Sequence, residues 1–204
     1  MRKIFIHQNN NFNVMLDERF QEFKNQLQLA YDLLSAARLK EIRDYVRSFR
    51  PLAILGDEIR PIRRIVKEYS DQIYGVGLPL IIVYAASCLE LFLRDIWEEY
   101  IGPIDKKYRS IFSNPKEFNK KIGQKIKDDV VVQANMVAQI RHTIIHRGGI
   151  VDKDALCAFR KAGVEEIIEG MKLEFTADKV EKYLNILLQY ANEVYNIFKT
   201  MSTR

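Results

Sequence analysis

Apolar side chains recur along most of this chain at intervals of three and four, the pattern of helices that bury one face. The clearest run passes through Leu16, Phe20, Phe23, Leu27, Ala30, Leu34 and Ala37, and predicts a long helix from Asp17 to Phe49. Asp17 and Glu18 would lie near the positive end of its dipole. Pro51 would stop or bend it, because proline lacks a donor and disfavours helix in the residue before it. A shorter helix is expected from Pro61 to Tyr74, where Arg60, Arg63, Arg64 and Lys67 form either a solvated basic face or a phosphate contact.

Gly75 and Gly77 then break the pattern, and Pro79 suits the first turn of a helix from Leu80 to Tyr100. That helix is apolar almost all round in its first half, so it should sit at the centre of the fold. Residues 102–127 read as a basic connection with a short helix, and a further helix spans Asp128 to His146 before stopping at Gly148 or Gly149. A loop, a short helix and a small β-hairpin through Glu169 to Phe175 are expected next. Thr176 is a good N-cap for a last helix to about Thr200, with Val180, Tyr183, Leu184, Leu187, Ala191, Val194 and Phe198 on one stripe. The expected fold class is all-α, a bundle of five or six helices forming one domain, with its core in residues 78–200 and residues 1–75 packed on it.

Composition agrees with this picture. Of 204 residues only nine are glycine and five proline, while 48% are hydrophobic and 29% charged, as in helix-rich globular proteins. A formal charge of +5 favours an anionic partner without specifying one. In the basic segment 102–127, Tyr108, Phe112 and Phe118 are interspersed with lysines, an interleaving that either holds single-stranded nucleic acid or marks a solvated amphipathic helix. Cys88 and Cys157 are too few and too far apart for a disulfide framework, which fits a reducing, cytoplasmic setting. The N-terminal apolar stretch is too short for a signal peptide, and Gly77 to Leu93 falls short of the roughly 20 apolar residues of a membrane span. No membrane partner is expected.

The stretch IRHTIIHRGGIV, residues 140–151, concentrates two of the chain's three histidines at a helix end. At about 100° per residue, His142 and His146 lie about 40° apart, whereas Arg141 and His146 lie about 140° apart. Three readings fit. Positive side chains near a helix C-terminus interact well with its dipole. Histidines four apart can reach one zinc ion, although HEXXH is absent and His7 or a remote carboxylate would have to add a ligand. Histidine can also move protons near neutral pH while arginine holds phosphate oxygens, a pairing suited to metal-free RNA cleavage. Glu90, four residues before Arg94, is either half of an ordinary helix pair or an acid serving such a site.

The string RHTIIH followed by RGGIVD resembles the signature of the HEPN superfamily, with Arg141, His142 and His146 at its three motif positions. The helix YAASCLELFLRDIW is similar to the earlier core helix of these families, where Glu90 matches a functional acid. The resemblance implies a homodimer in which two motifs meet in a cleft and form a metal-independent endoribonuclease site without cofactor. In that site Arg141 would stabilise phosphate, His146 would transfer protons or bind phosphate, and His142 and Glu90 would support them. It further implies action on RNA as a toxin or antiviral-defence effector, with an antitoxin or defence protein as partner. The other implied possibility is a non-catalytic module of the same fold that binds RNA or nucleotides, or dimerises.

Overall fold

A computed structural model of the chain describes residues 10–37, 77–105 and 110–202. Among them are six helices: α1 (Asn10–Ala37), α2 (Leu78–Tyr100), α3 (Pro115–Lys121), α4 (Asp128–Arg147), α5 (Lys153–Lys161) and α6 (Ala177–Ser202). The fold of the described residues is all-α, as the apolar periodicity predicts. The expected helix over 61–74 and the far end of the first helix lie outside the described residues.

The most apolar helix is the hub. α2 begins with Pro79 in its first turn and buries a broad face, from Leu78 and Ile82 through Leu89, Phe92 and Leu93 to Trp97 and Tyr100, while Leu80 and Leu91 on the opposite face are exposed. Helices α1, α4 and α6 all pack against it, and α6 packs on α1 and α4 as well. Aromatic rings join these helices. Phe92 lies 5.1 Å from Phe23 and 5.7 Å from Phe20, and Phe20 in turn stacks on Tyr195 at 4.4 Å. Further along α2, Trp97 meets Phe112 and Phe118 edge-on, which seats the connection and α3 against the hub.

Three hydrogen bonds made by two side chains fix α3. The buried Tyr190 hydroxyl on α6 donates to the Pro115 carbonyl at 3.1 Å, and its burial pushes the phenol's pKa well up. Asn119, itself buried, donates to the Ile126 carbonyl and accepts from the Ile126 N–H at 3.0 Å, so both halves of its amide are used to clasp the turn into α4.

Two expectations change. The first helix begins at Asn10, so Asp17 stands two turns inside it and has no role at its dipole. Instead Asp17 accepts hydrogen bonds from the Tyr195 hydroxyl at 2.5 Å and from Lys199 at 2.9 Å, tying α1 to α6. No hairpin forms between Glu169 and Phe175 among the described residues. The segment pairs with the turn after α4 through the isolated bridge between Ile150 and Lys172, with Val151 donating to Met171 and Leu173 donating to Gly149. The nearby backbone of 149–151 supplies the partners that a second hairpin arm would have supplied.

The Asp17 cluster generates a pH prediction. Hydrogen bonds from Tyr195 and Lys199 hold the Asp17 carboxyl below its ordinary 3.8, so this stabilisation is present above 3.8 and lost as pH falls through the lowered value. Bonding to Tyr195 and Asp17 raises Lys199 above 10.5, so its share is present below 10.5 and lost as pH rises through the raised value. Asp17→Asn should therefore lower the urea midpoint at neutral pH, and the gap from wild type should close in strong acid. A gap independent of pH would refute the role given to this carboxylate.

Candidate active site

α4 presents a buried face of Val130, Ala134, Val137, Ile140 and Thr143 to the core and ends at a glycine pair. Gly148 and Gly149 take φ of 60° and 86°, and both N–H groups donate to the Thr143 carbonyl. Left-handed backbone of this kind costs any L side chain, which accounts for glycine at both positions. The chain then turns back on α4. Asp152 caps α5 by accepting from the Ala155 N–H at 2.9 Å and lies 3.7 Å from Arg147, while Gln133 donates to the Ala162 carbonyl at the far end of α5. α5 thus runs antiparallel to α4, and the end of α4 is held from two sides.

The four residues singled out in the sequence form two pairs. Arg141 leaves α4 on the side toward α2, where its Nη2 lies 3.3 Å from Glu90 Oε2. Arg94, four residues after Glu90, approaches the other carboxylate oxygen only to 4.0 Å, so the ion pair between helices is the tighter one. Both members of the Glu90–Arg141 pair are about three-quarters buried, with side chains 23% and 25% exposed, which removes much of the screening that weakens surface pairs. Arg141 Nε is buried and has no hydrogen-bond partner among the described residues.

His142 and His146 lie on the outer face of α4. Both are exposed, and their rings stand 4.6 Å apart at 45°, as the four-residue spacing predicts. The arginine and the histidines therefore occupy different sides of one helix end, the angular separation that the spacing implies. An exposed imidazole can exchange protons with a ligand, and a largely buried guanidinium fixed by a carboxylate presents its remaining N–H groups in a set direction.

Two other expectations bear on the site. Phe112 and Phe118 in the basic connection are buried at 2% and 0% exposure, packed on Trp97, so neither offers a face on which a base could stack. Tyr108 and His7 lie outside the described residues. Among the described residues, no group of three or more His, Cys, Asp or Glu side chains is placed to hold a metal ion, and no helix is long and apolar enough to cross a membrane.

Sequence reasoning missed Asp152 as the link between Arg147 and α5, although an acid directly before the short helical run KDALCAF is a recognisable capping signal. It also missed the buried Thr143 hydroxyl, which has no partner among the described residues; a threonine beside His142 on an apolar stripe carries no sign of that in sequence. Compared with protein-family models, curated proteins and solved structures, the chain matches none.

Thr143→Val should remove an unpaired buried hydroxyl while keeping the side chain's shape, and so raise stability by about 1 kcal/mol. Thermal or urea unfolding would show it, and a clear loss of stability would mean that the hydroxyl has a partner.

Proposed function

We propose that this chain is a metal-independent endoribonuclease of HEPN type, active as a homodimer and serving as a toxin or defence effector. The observation that carries the reading is the arrangement at the end of α4: two exposed imidazoles 4.6 Å apart and, on another side of the same turns, an arginine held by Glu90 from the neighbouring helix. This adds to the resemblance of RHTIIH to the superfamily signature.

In the proposed reaction an imidazole removes the proton of a ribose 2′-hydroxyl, whose oxygen attacks the adjacent phosphorus. The bond from phosphorus to the 5′-oxygen breaks, and the departing oxygen takes up a proton from an imidazolium. The products are a 2′,3′-cyclic phosphate and a free 5′-hydroxyl. His146 is assigned to proton transfer, and Arg141 to the charge that accumulates on the non-bridging oxygens. Glu90 orients Arg141, and His142 supports its neighbour through ring contact.

The separation of Arg141 from the histidines around α4 is the reason for invoking a second copy, whose motif would supply the missing side of the site. Ile145 and Ile150 are 45% and 50% exposed next to the histidines, apolar surface suited to such a contact. The engagement of Arg141 by Glu90 also favours a second reading, a non-catalytic module that binds RNA or nucleotides, because a paired guanidinium is less free to meet the transition state.

Cleavage of cellular RNA by purified protein in excess chelator distinguishes the two. The enzyme should leave cyclic phosphate ends, and Arg141→Ala or His146→Ala should lower the rate about 100-fold or more. Glu90→Gln should reduce activity and also lower stability by more than the roughly 1 kcal/mol of an exposed pair, because it leaves the largely buried Arg141 guanidinium without its counter-charge. Undiminished cleavage by both alanine variants would sink the ribonuclease assignment, and affinity for RNA without turnover would establish the binding module.

A further inference from the structure

The outer face of α4 carries more than the histidines. Asn135, Gln139, His142 and His146 follow one another at steps of four, three and four, and at about 100° per residue they fall within about 60° of arc. The first two line a cleft of 640 Å³ enclosed by α3, α4 and α5, a volume in the range of small-ligand sites. At about 1.5 Å of rise per residue, Gln139 lies only about 4.5 Å along the axis from His142. The cleft therefore opens along the same helix face on which the imidazoles stand.

Its lining is chemically mixed. Lys116 and Lys120 come from α3 and Lys161 from α5, but Glu117, Asp128 and Asp154 face the same space, so the cleft is no simple anion trap. The Asn135 and Gln139 side chains are half-buried and make no hydrogen bond to any of the described residues, which leaves each amide with a donor and an acceptor to offer. By contrast Asn119, in the same lining, spends its amide on Ile126. Unspent amides between α3 and α5, flanked by lysines, suit a flat heterocycle with donors and acceptors on its edge and a phosphate attached.

We propose that this cleft receives a nucleobase of single-stranded RNA, with Asn135 and Gln139 reading its edge and the lysines holding neighbouring phosphates, so that the adjoining phosphodiester lies at the histidine pair. The proposal rests on the ribonuclease reading for its substrate class and makes Asn135 and Gln139 specificity-determining residues. Stacking on Phe112 or Phe118 plays no part, since both are buried.

Cys157 supplies an independent readout. It is exposed and lines the cleft, whereas Cys88 is buried and desolvation raises its thiol pKa, so a maleimide should label Cys157 first. Homopolymeric 2′-O-methyl oligonucleotides, which lack the attacking hydroxyl and cannot be cut, should slow labelling of Cys157 in the full-length protein, one base more than the others. The double variant Asn135→Ala, Gln139→Ala should lose that protection. On cleavable RNA it should raise KM about tenfold with little change in kcat and flatten the base preference at the cut.

Unchanged labelling by every oligonucleotide, together with wild-type base preference in the double variant, would overturn the cleft assignment while leaving the ribonuclease intact. Base-dependent protection of Cys157, lost in the double variant, in a protein that cuts no RNA would uphold the cleft and defeat the ribonuclease reading.

Discussion

α2 is the most apolar helix of the fold, and it buries about half of its circumference while Leu80, Ser87, Leu91 and Glu98 on the opposite face meet water. The side chains of that buried half leave water only if other helices pack on them, and α1, α4 and α6 do so. That constraint determines where α4 lies, and hence where its last turns can present their polar residues. It also explains the position of Glu90. A carboxylate in the later, still largely buried part of α2 needs a compensating charge, and Arg141 on the adjacent helix supplies it at 3.3 Å. The ion pair on which the proposed chemistry draws is thus a consequence of packing the hub.

The polar links between helices act where apolar packing leaves choices open. Apolar surfaces slide easily, because burial is proportional to area and has no direction. Directional bonds such as Tyr190 to Pro115, Asn119 to Ile126 and Asp17 to Tyr195 choose one register among those that bury similar area. Two of the three involve α3 and its exit turn, so the short helix that walls the α4 cleft is positioned by hydrogen bonds as well as by Phe118.

The long elements were legible in the sequence because each carries its own period. α2, α4 and α6 begin and end within a few residues of the boundaries that Pro79, the glycine pair and Thr176 suggest. The first helix was harder to delimit, since the polar run NNNFN before Leu16 gives no apolar stripe, yet the helix begins there. Segment 169–175 alternates apolar and polar residues through Met171, Leu173 and Phe175 as a strand does, but it pairs with a turn just over 20 residues upstream, and no local pattern encodes that choice. At the candidate site, the spacing of His142 and His146 foretold their ring contact. Glu90 and Arg141 are 51 positions apart, so their pairing could be suggested only by resemblance. The cleft was invisible because its walls come from three helices and its useful amides, Asn135 and Gln139, look like ordinary solvated positions until α3 and α5 are placed over them.

The turn after α4 is more than a stop signal. Helix ends usually fray, because their last carbonyls lack partners. Here Gly148 and Gly149 close on the Thr143 carbonyl, and the next residues enter backbone bonds with 170–173: Gly170 donates to Val151, Val151 to Met171 and Leu173 to Gly149. The amides of Val151, Gly170 and Leu173 can exchange with solvent only when this small clasp opens, and opening it releases the end of α4 at the same time. The two histidines are carried on a helix end whose local unfolding is coupled to a segment more than 20 residues further along the chain, so a substitution in 170–173 can alter the mobility of the imidazoles without touching them.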